Sequence, residues 1–377
     1  MVGDVIPPAS APTAIPADIH NLADYERHAE ALLPADAWRH IQGGADREVT
    51  LTANRTAFDK VRLLPRVLTD LRGGNTALDL FGRQLSSPIL LAPLAYQKIA
   101  HASGEGETVR AAMALDTPMI VSTLSSLTLE DIATIGQQTA AGFGIAPASL
   151  WFQLYLQEER EWSAELVRRA EVAGYEAIVL TVDTSIKRST FVLPEGVDAA
   201  NLRGMPRRTH TTTPGGNILF GTPLLNVAPR WEDLAWLRSL TKLPLLVKGI
   251  LAAEDARLAI EHGADGIIVS NHGGRSLDGA PSPLDVMSSI VKAVAGRVPI
   301  LLDSGIRSGS DVAKALASGA TAVLMGRPQF HGLAVAGMAG VAHILHILRA
   351  ELEFTMAQLG CATLADITAD RLFVSGR

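Results

Sequence analysis

The sequence is poor in cysteine, in excess positive charge and in long apolar runs, and each absence excludes a class of protein. The single cysteine, Cys361, allows no disulfide within the chain and no cysteine-rich metal site. The formal net charge of −6 argues against nucleic acid or an anionic membrane as the main partner. No uninterrupted run of about eighteen apolar residues occurs, so no transmembrane helix is predicted. We therefore expect a soluble protein without a metal site.

The first twenty residues also lack the features of a secretion signal. They are rich in proline and alanine, and no basic segment precedes an apolar one. We expect residues 1–20 to form a flexible arm, and the protein to be cytoplasmic. Hydrophobic residues make up 47% of the 377 residues, which is enough for a large core. We expect residues 21–377 to form one domain.

From residue 88 onward, short apolar segments alternate with helical patterns. Each segment is apolar on both faces, as a parallel strand covered by helices must be. Helical patterns over 159–175, 254–263 and 310–319 lie between some of these segments and end near glycines. The eight predicted strands are PILLAP (88–93), PMIVST (118–123), WFQLYL (151–156), AIVLTVD (177–183), PLLVKGI (244–250), GIIVSN (266–271), PILLDSG (299–305) and AVLMGR (322–327).

Eight consecutive β/α units predict an α/β fold of the (β/α)8 barrel type. The competing layout, a doubly wound open sheet, usually has fewer strands and a glycine-rich turn after its first strand. The segment LAPLAYQ, at the end of the first predicted strand, contains no such turn, so the barrel is favoured. Outside the barrel we expect a helical segment over 21–75, a lid-like loop over about 184–230 and one amphipathic helix over 331–357.

The barrel prediction draws attention to the carboxyl-terminal ends of the strands, where the catalytic residues of this fold lie. All the predicted strands except the first carry polar or charged residues there. A buried polar group without a partner is costly, so we expect these groups to face one another or a ligand. They are Ser122, Gln153, Tyr155, Thr181, Asp183, Lys248, Ser270, His272, Arg275, Asp303, Arg307 and Arg327.

The last two units, LLDSGIRSGSDVAKALASGATAVLMGRP, have the pattern of a phosphate site. Glycines let backbone N–H groups approach an anion, and the helix that begins in SGSDVAKAL favours negative charge at its N-terminus. Arg307 and Arg327 can add bidentate hydrogen bonds to a phosphate. The alternative is that the glycines serve only tight turns.

The stretch VSNHGGRSLDG, residues 269–279, places a histidine and an arginine three positions apart where a strand ends. His272 with a carboxylate behind it would be a general base, and Asp183 is the best candidate for that carboxylate. Arg275 suits the binding of a substrate carboxylate, and a buried Lys248 requires an anion. The alternatives are a structural histidine, a surface arginine and a lysine that pairs with an inner carboxylate.

Together these motifs resemble those of the FMN-dependent L-2-hydroxy acid oxidase/dehydrogenase family, which includes glycolate oxidase, lactate oxidase and mandelate dehydrogenase. SNHGGR followed by LD is the most specific, and APLAYQKIAH, FQLY, LTVDT, LPLLVKG and DSGIR…MGRP occur in the family's order, from Asn21 to about Thr368. The resemblance implies bound FMN, a homotetramer or related oligomer, and oxidation of an L-2-hydroxy acid of lactate or mandelate type. Oxygen or another acceptor would then take the electrons.

The resemblance also implies a role for each matching residue. His272 would be the base, Asp183 would stabilise its charged form, and Lys248 would lie near the N1/O2 side of the flavin. The catalytic set would be His272, Asp183, Tyr155 and Arg275, and the substrate would contact Tyr25, Tyr155, Arg188 and Arg275. The cofactor would be held by Pro93, Leu94, Ala95, Ser122, Gln153, Thr181, Lys248, Ser270, Asp303, Ser304, Gly305, Arg307, Gly326 and Arg327.

Several positions depart from the family pattern, among them Tyr96, where other members often have methionine or a small residue. The segment TVDTSIKRSTFVLP lacks the usual glycine before a second substrate arginine, and Arg188, or less well Lys187, is the nearest replacement. Leu124 stands where glycolate oxidase has a tryptophan, which indicates room for a substrate side chain larger than hydrogen. Ser304 replaces a usual glycine of the phosphate loop, a change that the backbone could absorb.

Two other functions stay open on the sequence. Another FMN- or phosphate-binding barrel enzyme, such as an isomerase or a purine nucleotide dehydrogenase, would share the phosphate loops but would not need His272 and Arg275 three residues apart. A flavin-binding protein without turnover would fit the altered segment around Arg188. It would leave the retained His272, Asp183 and Tyr155 unexplained.

Overall fold

The computed structural model describes residues 14–184, 191–205, 225 and 228–373. The chain begins with three helices, α1 (Leu22–Leu32), α2 (Ala35–Gln42) and α3 (Val49–Lys60). Asn21 caps α1 with its side-chain oxygen, which accepts hydrogen bonds from the N–H groups of Ala23 and Asp24. The helical part of the segment expected over 21–75 therefore ends at Lys60.

Part of the expected N-terminal arm is packed against the protein. Ile19 is 5% exposed and belongs to the hydrophobic core, and Asp18 contacts the side chain of His28. The packed chain thus starts before the expected boundary at residue 21. Residues 1–13 lie outside the described residues.

Eight parallel strands close into a barrel, which confirms the predicted fold. Their residues are buried on both faces, because side chains fill the barrel on one side and helices cover it on the other. In chain order they are β4 (Ile89–Leu91), β5 (Met119–Ser122), β6 (Leu150–Leu154), β7 (Ala177–Thr181), β8 (Leu245–Ile250), β9 (Gly266–Val269), β10 (Ile300–Leu302) and β11 (Ala322–Met325), and β11 pairs with β4 to close the ring. In the described part of the chain, two antiparallel pairs lie outside it, β1 (Arg62–Leu63) with β12 (Leu372–Phe373), and β2 (Leu78–Leu80) with β3 (Arg83–Leu85).

Helices surround this barrel. The patterns over 159–175, 254–263 and 310–319 correspond to α6, α8 and α10, and a glycine with positive φ follows each of them. The helices after α3 are α4 (Glu105–Ala114), α5 (Leu129–Phe143), α6 (Arg160–Val172), α7 (Trp231–Leu240), α8 (Ala253–Glu261), α9 (Pro283–Val294), α10 (Gly309–Ala317) and α11 (Arg327–Leu359). Single 3-10 turns cover Gln97–Ile99, Ala200–Leu202, Leu364–Asp366 and Ala369–Arg371.

Alternating side chains of the strands divide the core into two parts. Residues such as Ile89 and Leu91 face the helices, and Leu90 between them faces the barrel interior. The interior is filled by Leu90, Ile120, Trp151, Val179, Leu246, Ile268, Leu301 and Leu324. Because the barrel is packed, a ligand binds above this interior rather than within it.

The expectation of one continuous helix over 331–357 is wrong. Helix α11 starts earlier, at Arg327, and its helical geometry is interrupted at Ala336 and Gly337, where Gly337 has a φ of +54°. Glycines explain the close packing across this kink, since a Cβ on Gly340 would lie 2.0 Å from the carbonyl oxygen of Gly332.

Helix α11 is long and apolar enough to cross a membrane by length and composition, but 61% of its most apolar window is buried inside the protein. It packs against α1, α4 and α10. Its apolar character therefore has an explanation within the fold, as the core helix of a barrel.

The long segment expected as a lid over 184–230 is described in part. Residues 191–205 lie against the barrel, and Asn201 anchors them because its side-chain oxygen accepts the Leu129 N–H at 2.8 Å. The Asn201 amide also donates to Ser125 Oγ at 2.8 Å. The remaining residues of this segment, Arg188 among them, lie largely outside the described residues.

Candidate active site

A large pocket opens at the carboxyl-terminal ends of the barrel strands, where the fold predicts it. Its volume is about 1100 Å³, enough for a cofactor together with a small substrate. The residues of the predicted site that line it are Pro93, Leu94, Ala95, Tyr155, Lys248, His272, Arg275, Asp303, Ser304, Gly305, Arg307, Gly326 and Arg327.

His272 and Asp183 form a pair at the edge of this pocket. His272 Nδ1 lies 3.0 Å from Asp183 Oδ1, although the two residues are 89 positions apart in the sequence. Burial opposes ionisation of Asp183, but the positive charges of His272 and Lys248 hold its pKa below the ordinary value. An ionised Asp183 accepts the Nδ1–H of the imidazole, and that tautomer presents Nε2 as a proton acceptor.

Close packing beneath Asp183 explains the glycine in LVKG. Gly249 has a φ of +112°, and a Cβ on it would lie 2.6 Å from Asp183 Cβ. Any larger residue would displace the carboxylate and with it the contact to His272. The glycine thus allows Asp183, at the end of β7, to pass over β8 and reach the loop that follows β9.

Lys248 lines the pocket and is 3% exposed. Its Nζ is 3.0 Å from Asp303 Oδ2 and donates to Ser270 Oγ at 2.8 Å. Burial alone would lower its pKa, but Asp303 and Asp183 raise the pKa above the ordinary value. The lysine is therefore positively charged, pairs with an inner carboxylate and also faces the ligand space.

Tyr155 and Arg275 line the same pocket. Burial raises the pKa of Tyr155, so its phenol stays protonated and can donate a hydrogen bond. Burial lowers the pKa of Arg275, and its guanidinium donates to the carbonyl oxygens of Ile41 at 3.2 Å and Gly43 at 2.8 Å. Both side chains can thus donate to an anionic ligand.

The loops after β10 and β11 form a strongly positive end of the pocket. Burial and the neighbouring charges of Arg275 and Arg307 lower the pKa of Arg327 to about 9. Burial also lowers the pKa of Arg307. Ser308 caps α10, whose N-terminus follows this loop. Buried arginines whose pKa values are lowered by burial are stabilised by an anion, as the sequence predicts for a phosphate.

Four predicted cofactor residues lie at the ends of their strands but do not line the pocket itself: Ser122, Gln153, Thr181 and Ser270 are each 4% exposed or less. Among the described residues, Gln153 Nε2 and Thr181 Oγ1 are buried without a hydrogen-bond partner. Such unpartnered groups are costly unless a ligand satisfies them. Together with the arginines and Lys248, they fit a flavin mononucleotide, which carries a polar ring edge and a phosphate.

Tyr25 does not contact the pocket, which corrects its predicted role in substrate binding. Its side chain is fully buried beneath α11, where its hydroxyl lies 2.9 Å from His343 Nδ1. The sequence motif could not reveal this contact, because the two residues are 318 positions apart. Arg188, the other doubtful substrate residue, lies outside the described residues.

Several pocket residues were not predicted from the sequence. His40, in the last turn of α2, lines the pocket and stacks on Phe191 with ring centroids 4.1 Å apart. Leu202 and Met205 complete an apolar wall with Leu124. His40 comes from a helix outside the β/α units, and Phe191, Leu202 and Met205 come from the long loop between β7 and α7. Their position depends on long-range packing that no local motif records.

A parallel barrel with a buried lysine, a histidine–aspartate pair and an arginine-rich anion site at one end of its pocket defines a flavin-dependent barrel oxidoreductase. Comparison with known proteins gives the particular family. The profile of the FMN-dependent dehydrogenase family matches residues 29–374, and the chain belongs to that family.

The relatives include 2-hydroxy acid oxidases. An L-lactate oxidase of Alicycliphilus denitrificans is 48% identical and covers 95% of this chain and 97% of its own. The glycolate oxidase of Spinacia oleracea is 40% identical, with 94% and 96% covered. A crystal structure of mandelate oxidase with (S)-2-phenylpropionate superimposes with a TM-score of 0.82 at 42% identity, over 94% of this chain and 97% of that one. The chain is accordingly an FMN-dependent oxidoreductase acting on 2-hydroxy acids.

Proposed function

We propose that this enzyme oxidises an L-2-hydroxy acid to the 2-oxo acid, with His272 as the base. The observation that carries the proposal is the His272–Asp183 pair on the same pocket as Tyr155 and Arg275. A base beside two hydrogen-bond donors suits a substrate with a carboxylate and an adjacent hydroxyl group.

Arg275 and Tyr155 bind the substrate carboxylate. The arginine offers a planar guanidinium to both carboxylate oxygens, and the protonated phenol adds a second donor. Burial of both side chains strengthens their interaction with an anion, because little water competes. Fixing the carboxylate in this way orients the neighbouring hydroxyl group for proton removal.

His272 takes the proton of that hydroxyl group. Asp183 holds the Nδ1–H at 3.0 Å, which fixes the ring and stabilises the imidazolium that forms. FMN, when bound, would supply the acceptor for the C2 hydrogen of the substrate, which leaves as hydride with two electrons as the C2–H bond breaks and the C=O bond forms. Lys248 lines the same pocket and would stabilise negative charge on the bound cofactor, and Arg307 and Arg327 would hold its phosphate.

The apolar wall of the pocket selects a substrate with a side chain larger than hydrogen. Leu124, Phe191, Leu202 and Met205 line this wall, and Tyr96 faces the same space. A lactate- or mandelate-type acid fits such a surface because its side chain buries apolar area there. A mandelate oxidase of similar structure has been crystallised with (S)-2-phenylpropionate, which carries such a side chain.

The test is an anaerobic mixing experiment with the purified yellow protein and a panel of L-2-hydroxy acids. We expect lactate- or mandelate-type acids to bleach the flavin absorbance, and readmitted oxygen to restore it, as the oxidase names of the relatives suggest. If no acid bleaches the flavin, the proposal is refuted. The alternative functions are then an isomerase, a nucleotide dehydrogenase or a flavoprotein without turnover. His272→Ala should retain FMN and lose bleaching.

Location and assembly are also part of the proposal. A homotetramer is supported by the resemblance to the family, and a cytoplasmic location by the single cysteine, Cys361, which suits a reducing compartment. Light scattering of the purified protein would give the mass of the assembly. A monomeric mass would remove the tetramer from the proposal.

A further inference from the structure

A ring of hydrogen bonds connects the backbone of His272 to Lys248. Ser270 Oγ accepts from the His272 N–H at 3.0 Å and from Lys248 Nζ at 2.8 Å. Lys248 Nζ in turn lies 3.0 Å from Asp303 Oδ2. The loop after β9 that contains His272 is called the histidine loop below. These hydrogen bonds connect one side of it to the buried Lys248–Asp303 ion pair.

Ser304 closes this ring from the other side. Its Oγ accepts from the Gly273 N–H at 2.9 Å and donates to Asp303 Oδ1 at 2.7 Å. The hydroxyl group thus donates its proton to the Asp303 carboxylate and accepts the Gly273 N–H with a lone pair. With Lys248 on Oδ2, both oxygens of Asp303 have partners.

The ring holds both peptide groups that flank the Cα of His272. Ser270 accepts the N–H that precedes this Cα, and Ser304 accepts the N–H that follows it. His272 has a φ of +58°, a region that residues other than glycine rarely occupy and that its surroundings must stabilise. Rotation of either peptide would move the imidazole relative to Asp183.

Ser304 itself adopts a φ of +70°, where glycine would be unstrained. The backbone at this position therefore gives no advantage to a serine. What serine adds over glycine is a hydroxyl group that makes two hydrogen bonds. One joins the Gly273 N–H of the histidine loop, and the other joins Asp303, which pairs with Lys248.

We propose that Ser304 is a positioning residue for the base: its hydroxyl fixes the Gly273 peptide and keeps the His272 imidazole against Asp183. The inference rests on the proposed function of His272. It gives Ser304 a different role from cofactor binding, which the sequence implied. Ser304 acts through the backbone of the histidine loop and not on FMN.

The experiment compares Ser304→Gly and Ser304→Ala with the control Ser149→Ala. Glycine relieves the strain of the positive φ and alanine keeps it, but both remove the hydroxyl. Ser149 is a matched control because its Oγ accepts from Trp151 Nε1 at 3.0 Å and donates to the Glu176 carboxylate. It precedes β6, at the opposite end of the barrel.

Both Ser304 variants should bleach the flavin roughly tenfold more slowly, the effect expected from one lost hydrogen bond, with KM within about twofold of the wild type. The acid limb of the kcat/KM profile should move to lower pH, since a displaced imidazole loses the carboxylate that favours its charged form. Ser149→Ala should change neither quantity. FMN affinity should stay within about twofold in all three variants.

Two outcomes would overturn the proposal. If the Ser304 variants lose FMN but bleach normally per bound flavin, Ser304 is a cofactor ligand. If glycine restores the wild-type rate and alanine does not, backbone strain and not the hydroxyl matters.

Amide hydrogen exchange tests the contact without any turnover. The Gly273 N–H loses its acceptor in both Ser304 variants, so the peptide that contains it should exchange faster than in the wild type and in Ser149→Ala. Unchanged exchange would refute the role of Ser304. Failure of all acids to bleach the wild-type flavin would instead refute the proposed function, and the exchange result would separate the two failures.

Discussion

Replacing Asp183 by asparagine tests the role of the carboxylate behind the base. The change keeps the size of the side chain and an oxygen that can accept the His272 Nδ1–H, but it removes the negative charge. Asp183 lies 3.0 Å from the imidazole nitrogen, and 11% of its side chain is exposed. The pair is therefore screened only partly by solvent.

The magnitude follows from Coulomb's law. Two unit charges about 4 Å apart interact by about 4 kcal/mol at an effective dielectric constant of about 20. Because the asparagine oxygen retains a hydrogen bond to the ring, we expect a loss of about 2–3 kcal/mol in stabilisation of the imidazolium. This corresponds to a decrease of about 30- to 150-fold in the rate of anaerobic flavin bleaching.

The pH dependence has a definite sign. The pKa of Asp183 is below its ordinary value, so the carboxylate is ionised at neutral pH and favours the protonated imidazole. Its removal lowers the pKa of the base, and the acid limb of kcat/KM should shift to lower pH. Stopped-flow absorbance measures both the rate and this profile.

Asp278→Asn is the matched control, because Asp278 lies in the same loop but serves the fold. Its carboxylate accepts the N–H groups of Thr50 at 2.8 Å and Arg47 at 3.1 Å, contacts that an amide oxygen retains in part. We expect at most a small loss of stability and bleaching within about twofold of the wild type. A wild-type rate in Asp183→Asn with full FMN content would refute the reasoning.

Three further predictions follow from the same pocket and its surroundings. Arg327→Met should weaken FMN binding by about 10- to 100-fold in reconstitution titrations, since a charge-assisted contact to phosphate is lost; unchanged affinity would remove Arg327 from the phosphate site. Leu124→Trp fills the apolar wall and should favour glycolate over mandelate by at least about tenfold in kcat/KM; an unchanged ratio would place the substrate side chain elsewhere. Burial raises the pKa of Glu105 above its ordinary 4.5, so its stabilising effect is present at low pH and lost as pH rises through the raised pKa. Glu105→Gln should therefore melt at a higher temperature than the wild type at pH 8 but not at pH 4, and equal melting at both would contradict this.

The barrel could be predicted from the sequence because each strand is a short apolar segment and all but the first end in polar or charged residues. The predicted and observed strands agree closely, as in AIVLTVD (177–183), which contains β7, Ala177–Thr181. The kink in α11 could not be predicted, since it depends on contact between Gly332 and Gly340 across two packed segments. Periodicity records the buried face of a helix but not a break in its axis.

The site could be predicted where its residues follow the strands, and not elsewhere. The contact between His272 and Asp183 follows from two strand ends that meet at one edge of a barrel. Tyr25 was misassigned because a tyrosine near the N-terminus fits a family role by type alone, and only tertiary packing places it against His343. His40 occupies the pocket without any motif around it.

The N-terminal helices complete the site through their backbone. Arg275 and Arg327 both donate to the carbonyl oxygens of Ile41 and Gly43, at the carboxyl-terminal end of α2. Such carbonyls have no partner within their helix and carry its partial negative charge, so cations stabilise them. These two arginines, which we propose bind the substrate carboxylate and the phosphate, thus hold α2 over the barrel and bring His40 into the pocket. Every residue has a backbone carbonyl, whatever its side chain. No sequence motif could therefore indicate this contact.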